Sequence, residues 1–97
     1  MDRPQSQRVA LVVPELGLGS LPVVVSLWLV PAGAAVQAGD RVLELVAGGV
    51  TIDLEAPVSG RLAAQLVDED ESVTAGDAVA EFELPADAAR PVSGAAG

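Results

Sequence analysis

An internal repeat constrains the fold of this chain more than any other feature of its sequence. Residues 35–45, AVQAGDRVLEL, align with residues 72–82, SVTAGDAVAEF, at an offset of 37 positions. Leu29-Val30 align with Leu66-Val67 at the same offset. Each half therefore predicts a strand, a turn ending in Gly-Asp and a second strand. Two such halves favour a β-sandwich with pseudo-two-fold symmetry, because each half can cover the apolar face of the other.

Short apolar or alternating runs between turn residues predict an all-β chain. In RVLELV and AVAEFEL apolar residues alternate with acids, which is the pattern of a sheet with one solvent-exposed face. Gly48-Gly49 between two such runs predicts a two-residue hairpin, because both positions can take positive φ. No apolar stripe of helical period persists for three turns. The predicted strands are Arg8–Val13, Val23–Val30, Arg41–Val46, Thr51–Glu55, Gly60–Val67 and Ala78–Leu84.

The length of 97 residues is typical of one small domain. We predict a folded region over residues 8–84, preceded by a disordered segment, residues 1–7. Residues 85–97, PADAARPVSGAAG, are rich in Ala, Pro and Gly without periodicity, and are predicted to be a flexible tail or linker. The most apolar window, Leu21–Val36, is interrupted by Pro and Gly, and no signal-peptide pattern is present. We therefore expect no membrane contact and a cytoplasmic location.

The sequence lacks Cys, His and Lys, three residue types that carry much protein chemistry. Without Cys and His there is no disulfide scaffold, thiol nucleophile, histidine base or ordinary zinc site. The net charge of -9 excludes the basic patch of a nucleic-acid-binding domain. An acidic surface is expected to aid solubility and to steer basic protein partners. We expect no metal ion and no catalysis by this chain alone.

Two motifs resemble functional sites. The acids of residues 68–71 could ligate a cation, but they lack the Gly and the distal Glu of a calcium loop, so a solvated turn is favoured. LGLGSL, residues 16–21, resembles the signature of acyl carrier proteins and makes Ser20 a candidate attachment point for phosphopantetheine. Gly19 replaces the Asp of that signature, and the following VVVSLWLV is typical of a strand. An acyl carrier is therefore the weaker alternative.

Five fragments, in their order and spacing, resemble the lipoyl domains of 2-oxo acid dehydrogenase E2 acyltransferases. They are VVPELG at 12–17, WLV at 28–30, VQAGDRVLELV at 36–46, EAPVSGRL at 55–62 and VTAGDAVAEFEL at 73–84. The resemblance extends from about Val9 to Leu84, and PELG favours the lipoyl over the related biotinyl domains. It implies a flattened β-barrel of two four-stranded antiparallel sheets with pseudo-two-fold symmetry.

The resemblance also implies an attachment site that this chain lacks. In the family a hairpin tip of Asp-Lys-Ala carries lipoic acid on its lysine. Counting back from EAPVSG places that tip at Gly48, Gly49 and Val50, with Gly49 in the lysine position. No lysine occurs elsewhere in the sequence. Three explanations are open: a former carrier that kept a binding role, a lysine removed by engineering, or a resemblance limited to the fold.

We expect a non-catalytic, non-lipoylated accessory or docking domain of an acyltransferase system, without a cofactor. By analogy, the E2-type enzyme would be split between chains, as in polyketide and tetronate biosynthesis. Its partners would be an acyltransferase catalytic chain and an acyl carrier protein. The alternative is a free-standing β-sandwich interaction module unrelated to acyl transfer. The expected partner-binding residues are Asp53, Glu55, Asp68, Glu69, Asp70, Glu71, Leu16 and Gly17.

Overall fold

The computed structural model describes residues 7–84, which form two four-stranded antiparallel sheets and no helix. Sheet A has the strand order β1-β8-β6-β3, and sheet B has the order β5-β4-β2-β7. The all-β prediction is confirmed. The strands are β1 (Gln7–Val12), β2 (Val23–Trp28), β3 (Ala35–Val36), β4 (Arg41–Ala47), β5 (Val50–Glu55), β6 (Gly60–Gln65), β7 (Ser72–Val73) and β8 (Ala78–Leu84).

The two sheets are related by the pseudo-two-fold symmetry that the repeat predicts. Exchanging β1 with β5, β2 with β6, β3 with β7 and β4 with β8 converts the strand order of sheet A into that of sheet B. The turns repeat in atomic detail: Gln37 N donates to Asp40 Oδ2 at 2.8 Å, and Thr74 N donates to Asp77 Oδ2 at 2.9 Å. The glycines before these two aspartates share a φ of 94°. The repeat is therefore confirmed as a structural one.

One connection breaks this symmetry. Residues 13–22 join β1 to β2, whereas only residues 56–59 join β5 to β6. The longer connection adds six residues, so equivalent positions are offset by 43 between β1 and β5 and by 37 in the other strand pairs. The first half of the domain thus carries a loop that the symmetric sandwich does not require.

The core lies between the two sheets and consists of inward-facing aliphatic side chains around Phe82. Phe82 and its symmetry equivalent Leu45 are fully buried, and no polar or charged side chain of residues 7–84 is buried. Val42 and Leu43 are consecutive and both buried because the pairing of β4 with β5 is irregular there. Alternation therefore fails at this one point of β4, where a bulge turns both side chains inward.

The local sequence pattern predicted six strands, whereas the resemblance implied two four-stranded sheets, and the structure confirms the latter. The two strands that the pattern did not predict are the two-residue strands β3 and β7. Each lies at a sheet edge against a longer strand, so its ladder depends on a partner distant in sequence. β1 ends at Val12 and β2 at Trp28, earlier than predicted. Of the predicted terminal segments, Gln7 is the first residue of β1, and residues 1–6 and 85–97 lie outside the described residues.

Candidate functional site

The hairpin between β4 and β5 is the tip of the domain. Ala47 pairs with Val50, and Gly48 and Gly49 have φ of 57° and 83°. Positive φ at both central residues is the two-residue hairpin geometry that the glycines predicted. Val50 is 58% exposed, so the tip projects into solvent. The three residues at which the resemblance places the attachment motif, Gly48, Gly49 and Val50, thus lie together on a protruding turn.

The additional loop, residues 13–22, packs against this tip. A Cβ placed on Gly48 would lie 3.2 Å from Leu21 Cδ1. Leu21 itself is 48% exposed, whereas Leu16 is half-buried against the core and Gly17 takes a φ of 69°. Leu16 and Gly17 therefore shape the loop, and Leu21 offers more apolar surface to a partner. The expected partner-binding residues include Leu16 and Gly17 of this loop but not Leu21, because the exposure of a side chain within an apolar run depends on the tertiary fold.

The chain ends of the described region lie at the other end of the sandwich. β1 runs from Gln7 toward the loop at the tip, and Gln7 pairs with Leu84 in sheet A. The pseudo-two-fold maps Gln7 onto Val50 and Leu84 onto Ala47. The tip of sheet B and the chain ends of sheet A are therefore symmetry-equivalent.

The predicted acidic residues lie on two edges of sheet B rather than in one cluster. Asp53 and Glu55 are on β5, and the acidic run 68–71 leads into β7. β5 and β7 are the two outermost strands of the sheet. Three inter-strand spacings separate them, which is about 14 Å. These acids therefore flank the outer face of sheet B from both sides.

The acidic run forms an exposed turn that its own side chains help to fix. Asp68 N donates to Glu71 Oε1 at 2.9 Å, and Trp28 N donates to Glu69 Oε2 at 3.1 Å. Asp70 has a φ of 74°. Two of the four acids thus accept backbone hydrogen bonds, so replacing the whole run would alter the turn as well as its charge.

Glu44 on β4 links the two acidic edges. It pairs with Asp53 on one side and with Leu27 on the other, and Ser26 Oγ donates to Glu44 Oε2 at 3.0 Å. Glu44 and Asp53 thus form an acidic row on sheet B, whereas Glu69 lies beyond β2, where it accepts a hydrogen bond from Trp28 N. The alternation of β4 predicts that Glu44 faces solvent, but the register that brings it opposite Asp53 is a property of the structure.

Among residues 7–84 no group of acids is arranged to hold a metal ion. A cavity of about 90 Å³ lies between the loop at the tip and residues 73–75. A wider surface groove of about 610 Å³ is lined by residues that include Arg41, Glu44 and Asp53. Its volume falls within the range of about 300–1,000 Å³ that is usual for small-molecule sites, but it is open to solvent rather than enclosed. The described part of the chain also contains no helix long and apolar enough to cross a membrane.

Ser20 lies in a turn of the loop beside Gly19, and both residues are exposed. An acyl carrier protein is a four-helix bundle with its serine at a helix start. The two-sheet fold therefore shows that the acyl-carrier alternative is wrong.

Taken together, the two-fold β-sandwich and the hairpin presented opposite the chain ends define a class of small carrier-type domains. The profile of the biotin/lipoyl family, described as "Biotin-requiring enzyme", matches residues 9–82. The chain belongs to this family. Its members are carrier domains that are not themselves catalytic and that work with the catalytic domains of enzymes.

A solved structure of a single-chain, multi-domain long-chain acyl-CoA carboxylase contains a similar fold, with a TM-score of 0.67 and 22% sequence identity. The match covers 92% of this chain and 8% of the carboxylase chain. At this identity the likeness concerns the fold. No curated protein matches the sequence. The biotin/lipoyl part of the resemblance is thus confirmed, and the E2 lipoyl branch is a finer assignment.

Proposed function

We propose that this domain is a non-lipoylated relative of E2 lipoyl domains and serves an acyltransferase as an accessory docking module. One observation carries the proposal: the protruding tip is Gly48-Gly49, and the resemblance places the attachment lysine at Gly49. The domain has the protruding hairpin of a carrier domain but lacks the lysine amine to which the cofactor of a carrier is attached.

The remaining side chains do not replace that amine. All five basic residues of the sequence are arginines. A guanidinium stays protonated in proteins and is a poor nucleophile for forming an amide. The positive φ of Gly49 also disfavours a lysine at that position. The proposal therefore includes no cofactor and no catalysis by the domain itself.

The surface that remains supports binding. The acidic row of sheet B and the exposed Leu21 and Val50 at the tip provide charge for steering and apolar area for contact. The proposed partners are the catalytic chain of a split E2-type acyltransferase and an acyl carrier protein, in polyketide- or tetronate-type biosynthesis in the cytoplasm. In this proposal residues 8–84 are the docking unit, and residues 85–97 are a tail or linker.

The first prediction concerns modification. Incubation with lipoate ligase, lipoate and ATP, or with biotin ligase, biotin and ATP, leaves the mass of the chain unchanged, because no lysine is present. Intact-mass spectrometry measures this, with a lysine-bearing lipoyl domain as the positive control. A gain of one lipoyl or biotinyl group refutes the non-carrier assignment.

The second prediction concerns the partner. An acyltransferase catalytic chain encoded beside this domain binds it in calorimetry, and its turnover falls when the domain is omitted. Raising salt from low to physiological concentration slows association, because exposed charges act mainly on encounter. Asp68→Lys is the suitable variant for testing the effect of charge on association. It reverses one charge of the acidic run and keeps Glu69 and Glu71, whose side chains accept the hydrogen bonds that hold the turn. Absence of binding with unchanged turnover would favour the alternative of an interaction module unrelated to acyl transfer.

A further inference from the structure

The pseudo-two-fold provides an internal comparison for the outer faces of the two sheets. Both faces occupy equivalent places in the fold, so the same packing requirements act on them. Differences between equivalent side chains therefore point to something other than folding. The sets to compare are Val24, Val46, Thr51 and Asp53 in sheet B and Arg61, Glu83, Arg8 and Ala10 in sheet A.

The outer face of sheet A is neutralised by its own ion pairs. Arg8 Nη1 lies 3.0 Å from Glu81 Oε1, and Arg61 pairs with Glu83. These four side chains lie on neighbouring strands and carry opposite charges in equal number. The outer face of sheet A is thus a polar surface on which these four charges balance one another.

The outer face of sheet B replaces both halves of one such pair with apolar side chains. Val24 and Val46 are directly opposite each other on β2 and β4, where sheet A has Arg61 and Glu83. Both valines are half-buried, so part of their surface faces solvent. They form an apolar row bordered by Thr51 on β5 and Ser72 on β7.

The acidic row lies next to this apolar row. In sheet A, Arg8 neutralises Glu81. Glu44 is the equivalent of Glu81 in sheet B, but the equivalent of Arg8 is Thr51, which carries no charge. Within residues 7–84 Glu44 accepts a hydrogen bond from Ser26 and forms no ion pair. Asp53 pairs with Arg41 at 3.3 Å, an exposed pair like those of sheet A. Glu44, Asp53 and Arg41 together therefore leave one uncompensated negative charge beside the apolar surface.

We propose that the outer face of sheet B binds a basic amphipathic helix of the partner, with an apolar side chain over Val24 and Val46 and a cation at Glu44 and Asp53. The two rows are two residues apart along β4, which is about 7 Å. Residues i and i+4 of a helix rise by about 6 Å, so an apolar residue followed at i+4 by Arg or Lys matches both rows. This assignment rests on the proposed docking function and adds the face and the chemistry of the partner.

Charge argues against a second copy of this chain as the occupant. An isologous contact through this face would bring the Glu44 and Asp53 carboxylates of two copies together. Each copy carries a net charge of -9, which adds long-range repulsion. A basic segment instead supplies the charge that sheet A obtains from Arg8 and Arg61.

The test is a ¹H–¹⁵N NMR titration of the full chain with an alanine-based helical peptide of about 16 residues that carries Leu and Arg at i and i+4. A peptide with Glu in place of Arg is the control ligand. Amide shifts are expected at Val24, Glu44, Val46 and Asp53 with the Arg peptide, and not at the equivalent residues of sheet A. Glu44→Gln with Asp53→Asn should weaken binding about fivefold.

Glu81→Gln with Glu83→Gln is the matched control, because it also removes two carboxylates, but from the outer face of sheet A. It should change the affinity by less than about twofold, the effect of losing distant screened charges. Shifts on sheet A, equal binding of the Glu peptide, no shift at about 1 mM peptide, or dimerisation through sheet B would each overturn the assignment. Those outcomes leave acyltransferase binding open, whereas a mass gain with lipoate ligase refutes the proposed function and leaves this face intact.

Discussion

At the scale of single residues, the backbone conformation of Gly49 disfavours most side chains at that position. Its φ of 83° lies in the left-handed region, which side chains other than those of Asn and Asp adopt at a cost. Placing a lysine at Gly49 therefore means changing the turn as well as the residue.

The third prediction follows from this geometry. Gly49→Lys should lower the free energy of unfolding by about 1–2 kcal/mol, because lysine at positive φ is strained. Gly48→Asn is the control and should cost less than about 0.5 kcal/mol, since Asn suits the first position of this turn and the exposed Leu21 side chain can move aside. Urea unfolding followed by the fluorescence of Trp28 measures both. Equal stability of Gly49→Lys and the parent would show that the turn adapts without strain.

At the scale of structural elements, the acidic turn and its symmetry equivalent solve one backbone problem in two ways. Asp70 N donates to Val25 O at 2.7 Å, and Gly33 N donates to Leu62 O at 2.7 Å. The φ values are 74° at Asp70 and 93° at Gly33. Gly33 is the residue type that tolerates positive φ best. Asp70, at the equivalent position of the acidic turn, is an acid that also adds charge beside the acidic row.

The fourth prediction tests this equivalence. Asp70→Gly should leave the free energy of unfolding within about 0.5 kcal/mol of the parent, because glycine adopts this φ freely. Asp70→Val should lower it by about 1–2 kcal/mol, since a β-branched side chain is a genuine outlier at positive φ. Both changes remove the same charge, so the pair separates backbone strain from electrostatics. Similar unfolding midpoints for the two variants would contradict the assignment.

The same elements show what the sequence can and cannot predict. The repeat with its Gly-Asp turns predicted the two halves, and Gly48-Gly49 predicted the hairpin, because each of these signals can be read directly from the order of residues in the sequence. The two-residue strands β3 and β7 have no local signal and exist only as partners of β6 and β2. The acids of residues 68–71 were visible in the sequence, but the position of Glu44 between the two acidic edges depends on the register of three strands.

At the scale of the whole molecule, the architecture is that of a duplicated unit with one added loop. Every strand of sheet A has an equivalent in sheet B. The added loop, residues 13–22, lies beside the tip, and its counterpart at the other end is the short connection 56–59. The symmetry therefore accounts for the core, and the departures from it mark the surface that distinguishes the two ends and the two faces.

Because the tip and the ends of the folded region are equivalent, the two halves of this domain could follow each other in either order along the chain. Gln7 and Leu84 are paired as Val50 and Ala47 are, so two glycines between Leu84 and Gln7 would form a second hairpin like Gly48-Gly49. The fifth prediction is that a circular permutant of residues 7–84, opened between Gly48 and Gly49 and closed by Gly-Gly, keeps the β-sheet circular dichroism spectrum and the cooperative unfolding of the parent. A permutant opened inside β4 is the control and should not fold, because it interrupts a central strand. In the permuted order sheet B would hold the ends of the folded region and sheet A the turn, so neither sheet is restricted to one of these two roles.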